Sequence, residues 1–419
     1  MAEKIVGFAE ALAIVLNEAA RLRQKGGKTR ATEWVNLLDA AGRVLAEPVT
    51  ADRDQPPFDR ATRDGFAVRA EDFSHGKDLR VVGMVRAGEL WKGAALQPGQ
   101  TIEIMTGAPM PEGADAVAMI EHVTSAHGVI KAAPARKLAV GENVVTQGLE
   151  AKAGASVVPA GTVVGAAEIA LAATSGRSGL AVLARPMVTI AATGDELVGI
   201  DIVPEPHQIR NSNGYGMAAL VTAAGGRAAR LEVARDRRED VRERITQGRI
   251  GDLMLLSGGV SMGKYDLVEE ALAEAGAEFF FTGVKMQPGR PVVFGRLPGL
   301  GGATASPPCY FFGLPGNPVS TQVTFHCFVE PFLRALCGGE IAGPKFAQAT
   351  LSEPATGKPG LTRVLPARLT SDLKQPTVKL VDWHGSGDLA ANARANCYAV
   401  LPEGRESLPT GEVITVLLR

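Results

Sequence analysis

Cysteine is scarce in this chain of 419 residues, and the spacing of the few cysteines excludes two kinds of small scaffold. None of them forms a Cys-x-x-Cys pair, so neither a zinc knuckle nor a disulfide framework is indicated. We expect the thiols to be small buried side chains in a reducing compartment. The four cysteines are Cys309, Cys327, Cys337 and Cys397.

An excess of charge of one sign is also absent, because the net charge is only −1. No global field therefore attracts nucleic acid or an anionic membrane, and any anion site must be local. Long hydrophobic runs are missing as well, since the longest are well short of a membrane span. Residues 5–16 are apolar but interrupted by Glu10, which predicts an amphipathic helix packed on the protein rather than a signal peptide. We expect a cytoplasmic protein without nucleic-acid or membrane partners.

Histidine is also scarce, at 6 residues, and no Ser-His-Asp or Cys-His set is apparent. We expect each histidine to be structural or on the surface. Residues 258–264 resemble a phosphate loop, but Tyr265 stands where that loop needs a Mg²⁺-binding Ser or Thr. An ordinary nucleoside triphosphatase is therefore disfavoured.

The length of the chain predicts two to four domains, and its patterning changes along the sequence. Residues 79–145 show short apolar runs without helical periodicity, which predicts a small β-rich module. From Met187 strands alternate with helical patterns, as in an α/β domain. From about residue 346 the pattern is β-like again. In the first module the predicted strands are 80–85, 101–105, 116–120 and 129–132.

The chain is organised around residues 253–266, where an apolar run leads into glycines and then into a helical pattern from Leu267. In open parallel sheets, ligands bind at such turns, outside the carboxyl ends of the strands. Gly258 and Gly259 let backbone N–H groups approach an anion closely. A tight turn that needs glycine only for its dihedral angles is an equally good interpretation of this stretch alone.

Turns of the same kind follow other predicted strands, at residues 193–196 and 313–317, and the turn at 287–291 adds Arg290. If the sheet is parallel, these turns lie along one edge. Backbone donors and an arginine suit an oxyanion or phosphate, and carboxylates beside phosphates suit hydrated Mg²⁺. For any single carboxylate, a solvated charge or a helix cap is the default interpretation. Asn317 is expected to cap the helix that Pro318 begins.

A loop before the β-rich module is unusually charged, with Asp59, Arg60, Arg63 and Asp64 close together. Further along, a predicted strand ends at Thr106, and we expect its hydroxyl to be free to donate.

Seven stretches, in the same order along nearly the whole chain, resemble the MoeA family, which includes the gephyrin E domain. They are PPFDRATRDGFAVR, MTGAPMPEGADAV, ATGDEL, QIRNSN, LLSGGVSMGKYD, MQPGRPVVFG and FGLPGNPVS. The resemblance implies an elongated homodimer of multidomain α/β plus β chains. Its central domain would be a three-layer α/β domain of the molybdopterin-binding type, with a β-rich lid that faces the partner's central domain and a small C-terminal β-barrel-like domain. The implied bounds are 1–50 with 146–183 for an N-terminal dimerisation and linker domain, 51–145 for the lid, 184–338 for the central domain and 339–419 for the C-terminal domain.

The activity implied by the resemblance is insertion of molybdate into adenylylated molybdopterin, with Mg²⁺ and with release of AMP. A molybdopterin adenylyltransferase would be the upstream partner. The implied catalytic residues are Asp64, Thr106, Glu196, Asp236 and Asp266. The implied metal-binding residues are Glu150, Glu196 and Asp266. Substrate and anion binding are implied for Gly258, Gly259, Ser261, Gln287, Pro288, Gly289, Arg290, Pro315, Gly316, Asn317 and Ser386.

Some positions depart from the family pattern. Gln287 stands where many members have lysine, and Arg290 or Lys285 could compensate. Pro366 stands where a site arginine is common, and Arg363 and Arg368 are both candidates to replace it. Further departures are Arg60 and Arg63, which add positive charge to the lid loop, and Arg237, which replaces a frequent acidic residue.

Two other functions stay open at this point. A scaffold could bind the pterin or a partner without turnover, but the carboxylates Asp64, Glu196 and Asp266 favour an enzyme. The related adenylyltransferases resemble only the central α/β part, so the lid and the C-terminal domain disfavour that activity. The sequence does not separate molybdate from tungstate.

Overall fold

A six-stranded sheet lies at the centre of the computed structural model, which describes residues 4–24, 30–259, 267–299 and 307–419. Four neighbouring strands are parallel, and a fifth pairs antiparallel with its neighbours on both sides. The three strands expected to carry ligand-binding turns are adjacent and parallel. Across the sheet the order is Arg227–Arg230, Met187–Ala192, Leu253–Ser257, Cys309–Leu314, Val293–Leu297 and Glu278–Phe281.

Helices cover both faces of this sheet, so the central domain has three layers, as predicted. Successive side chains of a strand point to opposite faces, and Leu253 and Leu255 accordingly join one apolar cluster while Met254 and Leu256 join the other. This explains why the strand reads as a continuous apolar run. The first cluster packs under Phe8–Gln24, Ser212–Ala223 and the helical segment 318–336, which contains a π-helical turn at Phe325–Val329, and the second under Arg238–Gly248 and Leu267–Glu274.

The prediction of a helix over residues 5–16 is wrong at both ends. Ile5–Val6 is a short strand that pairs parallel with Gly283–Val284, and the helix spans Phe8–Gln24. Because Ala11, Val15 and Ala19 are all buried at four-residue spacing, the packed face continues beyond residue 16. In the described part of the chain, no helix is long and apolar enough to cross a membrane.

A small module near the N-terminus is built from two separate stretches of chain. Its strand pairs join Thr32–Asn36 to Gly179–Leu183 and Val49–Thr50 to Ser156–Val158. The helix Ala166–Thr174 packs on them around one apolar cluster. The chain leaves this module and returns to it, as the resemblance implies, although the domain bounds given above stay predictions.

Between these two stretches lies a β-rich module built on a six-stranded sheet, as predicted. Phe66 and Val68 face one apolar cluster and Ala67 faces another, so both sides of the sheet are covered. Where the chain enters and leaves this module, the short strands Arg60–Ala61 and Val144–Val145 pair antiparallel. Across the sheet the strands are Ala116–Met119, Gly65–Val68, Gln100–Ile104, Leu79–Val85, Val129–Ala132 and Val123–Ala126.

The C-terminal strands form a closed small β-barrel, as predicted. The barrel closes because the strand Thr362–Thr370 pairs with a strand on each of its sides, Thr377–Leu380 and Cys397–Leu401. The short strand Met286–Gln287 pairs parallel with Thr362–Thr370 and so joins the barrel to the central domain. The other elements of the barrel are Phe346–Leu351, Val413–Leu418 and the helix Leu389–Arg394.

Candidate functional site

A cleft of about 1090 Å³ lies at the carboxyl ends of the parallel strands. Three turns predicted from the sequence meet there, because their strands are neighbours in the sheet. Backbone hydrogen bonds tie the turns together, since Thr193 N–H donates to the Ser257 carbonyl at 2.9 Å and Gly258 N–H to the Leu314 carbonyl at 3.3 Å. The predicted site residues that line the cleft are Glu196, Asp236, Gly258, Gly259, Pro315, Gly316 and Asn317.

Glycine is required at two positions in the floor of this cleft. Gly258 and Gly259 have φ of 89° and 63°, in the left-handed region that favours glycine. A Cβ on Gly258 would lie 2.4 Å from the Thr193 carbonyl oxygen, and one on Gly259 would lie 2.7 Å from Val268. The glycines thus allow two turns to pack in direct contact.

Thr193 and Asn213 are polar residues of the cleft that were not among the predicted site residues. The Thr193 hydroxyl is buried and has no hydrogen-bond partner among the described residues. Asn213 Nδ2 donates to Ser257 Oγ at 2.9 Å and to the Gly316 carbonyl at 2.7 Å, so this one amide joins two of the turns. Asn213 lies in the Arg-Asn-Ser-Asn run of residues 210–213, where an asparagine is suited to capping the helix Ser212–Ala223. That capping is performed by Asn211, which accepts from Gly214 N–H at 3.0 Å.

Two carboxylates, Glu196 and Asp236, stand exposed at the border of the cleft. Asp195 links their turns, because it accepts from Asp236 N–H at 3.2 Å through its side chain and from the Arg235 guanidinium at 2.9 Å through its carbonyl. Residues 4–24, 30–259, 267–299 and 307–419 contain no group of three or more metal-binding side chains. Asp266 and Ser261 lie outside the described residues.

A second cleft of about 530 Å³ adjoins the first, and both are lined by Pro291, Pro315 and Asn317. It lies where the short strand Met286–Gln287 meets the C-terminal barrel. Further predicted site residues line it, namely Gln287, Pro288, Gly289, Arg290 and Ser386. Of the two candidates to replace a site arginine, Arg363 lines this cleft, whereas Arg368 lies farther along the same strand, opposite Lys379.

The predicted capping role of Asn317 is not observed. Asn317 precedes the helix, but its side chain makes no capping hydrogen bond. Instead Thr321 Oγ1 donates to the Pro315 carbonyl at 2.6 Å and to the Asn317 carbonyl at 3.0 Å. Because the helix fixes the turn through its own threonine, the Asn317 amide is left at the boundary between the two clefts.

Asp64 and Thr106 form a compact pair in the β-rich module. The Thr106 backbone N–H and hydroxyl donate to the same Asp64 oxygen, at 2.7 and 2.8 Å. These two hydrogen bonds lower the pKa of the exposed Asp64 carboxyl below its ordinary value. The expectation of a free Thr106 hydroxyl is therefore wrong, since the neighbouring carboxylate engages it. Neither residue lines the two clefts.

Glu150 also lies away from both clefts. Its carboxylate forms an ion pair of 3.1 Å with Arg60 of the charged loop. The structure therefore does not bring Glu150 and Glu196 to one cleft within the chain, and their shared metal role stays a prediction.

Three family models match successive parts of the chain. They are described as the MoeA N-terminal region (domain I and II), at residues 6–176, the probable molybdopterin binding domain, at 189–335, and the MoeA C-terminal region (domain IV), at 348–418. The residues that line the two clefts fall within the second and third of these matches.

Similar proteins were found among curated sequences and among solved structures. The molybdopterin molybdenumtransferase of Nostoc sp. is 36% identical over 409 residues, covering 92% of this chain and 88% of the relative. The protein of that name from Staphylococcus epidermidis is 32% identical over 390 residues, covering 92% and 90%. Two structures of the molybdopterin biosynthesis MoeA protein from Pyrococcus horikoshii match 99% of this chain and at least 99% of their own, at 31% identity with a TM-score of 0.71 and at 27% identity with a TM-score of 0.78.

Proposed function

Because this chain belongs to the MoeA family, we propose that it catalyses the molybdopterin molybdenumtransferase reaction. In that reaction molybdate is inserted into the dithiolene of adenylylated molybdopterin, and AMP is released. The observation that carries the proposal is the pair of adjoining clefts with a common wall at Pro291, Pro315 and Asn317. A large organic substrate and a small oxyanion can thereby lie side by side.

The first cleft suits the organic substrate. Its volume, about 1090 Å³, slightly exceeds the usual range for small-molecule sites, about 300–1,000 Å³. The unpartnered Thr193 hydroxyl offers a fixed donor for a polar atom of the pterin or its phosphate. Asn213 holds the turns of the floor together, so this donor is positioned before the substrate arrives.

Glu196 and Asp236 fit a magnesium ion at the border of this cleft. Hydrated Mg²⁺ binds through one or two carboxylates together with substrate oxygens, and both side chains are exposed enough to provide them. When bound, the ion would neutralise charge on the phosphates as AMP leaves. Asp266 remains a candidate third carboxylate from its sequence position, and Glu150 a more distant one.

A homodimer would complete the site, with Asp64 and Thr106 contributed by the partner's β-rich module. Two observations support this proposal. The Asp64–Thr106 pair lies away from both clefts of its own chain. Large apolar side chains of the N-terminal module are also exposed, with Trp34 at 67% and Leu38 at 83%.

The reaction also places the chain in a sequence of steps. It consumes an adenylylated pterin, so an adenylyltransferase that activates molybdopterin would be the upstream partner. We place both steps in the cytoplasm, where thiols stay reduced, since all four cysteines are free.

The proposal is tested with purified protein, molybdopterin adenylate, molybdate and Mg²⁺. We expect the wild type to release AMP and yield active cofactor, and Glu196→Ala and Asp64→Ala to lose both activities while keeping their unfolding temperature. Mixing the two inactive variants should restore part of the activity if the site is shared between chains. Pterin binding without AMP release by the folded wild type would contradict the enzyme and favour a scaffold.

A further inference from the structure

One loop of the C-terminal barrel, residues 384–388, reaches both clefts. Gly385 and Ser386 of this loop line the second cleft, and Gly387 lines the first together with the next residue, Leu389. Among the described residues, the rest of the first cleft is lined by residues 192–318. The shape of this loop therefore determines how the barrel closes the first cleft at its junction with the second.

Asp388 fastens the two ends of this loop to one side chain, although it lines neither cleft itself. Only 17% of its side-chain surface is exposed. One carboxylate oxygen accepts from the Ala391 N–H at 2.9 Å and so caps the helix Leu389–Arg394. The other accepts from the His384 N–H at 3.1 Å, at the start of the loop. These two backbone hydrogen bonds lower the pKa of Asp388 below its ordinary value, so the carboxylate is ionised at neutral pH.

The closed loop is also attached to the central domain at two points. Val319 N–H donates to the Ser386 carbonyl at 2.9 Å, and Asn392 Nδ2 donates to Gln322 Oε1 at 2.8 Å. Val319 and Gln322 both belong to the helix Pro318–Thr324, which follows the turn that forms part of the wall common to the two clefts. Because Asp388 fixes the distance between Ser386 and the following helix, the loop can make both attachments at once.

From this geometry we infer that Asp388 is a positioning residue, whose carboxylate holds the loop 384–388 in the shape that completes the first cleft before the organic substrate binds. The inference rests on the proposed function, since it concerns a substrate of that reaction. A carboxylate suits this role because both of its oxygens accept hydrogen bonds, whereas an asparagine has a single acceptor oxygen. Without the carboxylate, the substrate would have to order the loop as it binds, and the cost of that ordering would weaken its affinity.

The test measures the KM for molybdopterin adenylate and kcat from AMP release. We expect Asp388→Ala to raise this KM by about tenfold, as for loss of a charge-assisted hydrogen bond, while kcat is largely kept because the bound substrate restores the loop. Asp388→Asn should be intermediate, since its amide oxygen can still accept from Ala391 but its amide nitrogen cannot accept from His384.

Asp372→Ala is the matched control for this test. The Asp372 carboxylate also accepts from two backbone N–H groups in a turn of the same barrel, those of Lys374 and Gln375, but it lines neither cleft. Its KM and kcat should equal those of the wild type, because loss of a turn contact away from the clefts leaves the loop 384–388 in place.

Hydrogen exchange measured by mass spectrometry on peptides that cover residues 383–391 tests the loop without any turnover. We expect exchange at His384 and Ala391 to be about tenfold faster in Asp388→Ala than in the wild type. If Asp388→Ala does not fold, Asp388→Asn serves in its place, because it keeps the helix cap.

Unchanged exchange in the variant, or faster exchange with an unchanged KM, would each overturn the inference. A wild type that releases no AMP would contradict the proposed function instead. Exchange and the dissociation constant of molybdopterin adenylate, measured by titration of wild type and variant, would then decide the role of Asp388 on their own.

Discussion

The Asp64 carboxylate accepts both of its hydrogen bonds from one residue, Thr106, through the backbone N–H and through the hydroxyl. The residues lie far apart in sequence but meet because the strands Gly65–Val68 and Gln100–Ile104 pair antiparallel. The arrangement keeps the carboxylate ionised at a lower pH than an isolated aspartate.

We predict that Thr106→Val raises the pKa of Asp64 toward its ordinary value. The backbone N–H, which has the larger effect, remains, but the hydroxyl contribution is lost. If ionised Asp64 is needed, the acidic limb of the kcat/KM profile moves to higher pH. Titration of the carboxyl carbon by NMR checks the first effect and a pH–rate profile the second. Thr106→Ser should resemble the wild type, and an unchanged Asp64 pKa in the valine variant would contradict the prediction.

Replacing Asn213 should loosen the floor of the first cleft. Asn213→Asp removes the Nδ2 donor that joins Ser257 Oγ to the Gly316 carbonyl. The carboxylate oxygen that replaces it can only accept hydrogen bonds, and it would face the Gly316 carbonyl oxygen, which is also an acceptor. We expect a loss of about 1–3 kcal/mol in unfolding free energy and weaker pterin binding. Urea denaturation and pterin titration measure the two effects. Asn211→Ala provides a comparison, since loss of its cap should cost about 1 kcal/mol of stability. Equal pterin affinity in Asn213→Asp and wild type would refute the role given to the amide.

Glu330 is predicted to make stability depend on acid pH. Burial alone would raise the pKa of this carboxyl, but the hydrogen bond from His326, at 2.7 Å, and the charge of Arg334 outweigh burial and lower it. A lowered folded-state pKa contributes stability that is complete above the unfolded value, about 4.3, and is lost as the pH falls through the folded value. Urea denaturation of Glu330→Gln should therefore show lower stability at pH 7 and a shallower decline below pH 5 than the wild type.

Glu403→Gln, at an exposed site, is the matched control for that experiment and should follow the wild-type curve. If Glu330→Gln and wild type lost stability in parallel below pH 5, the acid sensitivity would have to come from other carboxylates.

The proposed dimer is tested at the exposed apolar surface of the N-terminal module. We expect Leu38→Glu to convert dimers to monomers, because a charge would be desolvated in the interface, and to lower AMP release by reducing the number of complete sites. Light scattering after size-exclusion chromatography measures the mass. Leu373→Glu is the control, since Leu373 is fully exposed on the C-terminal barrel. A monomeric and fully active wild type would contradict the shared site.

The turns of the first cleft could be predicted from the sequence because each one follows a buried strand and carries its own local signal. Gly258 and Gly259 show that signal in the residues themselves. The role of Asn213 could not be predicted, since its partners Ser257 and Gly316 come from other turns. The first helix was misplaced for a related reason, as Ile5–Val6 becomes a strand only by pairing with Gly283–Val284.

The sequence by itself determined the order of the modules, the alternating strands and helices of the central domain and the turns that follow its strands, because periodicity and turn chemistry act between near neighbours along the chain. Only the tertiary structure decided which of Arg363 and Arg368 lines the second cleft and that the Thr106 hydroxyl is engaged by Asp64. Both outcomes depend on strand register between distant segments. The pattern of a strand shows which of its residues face the core, but its register against a distant partner strand is fixed only when the sheets pack.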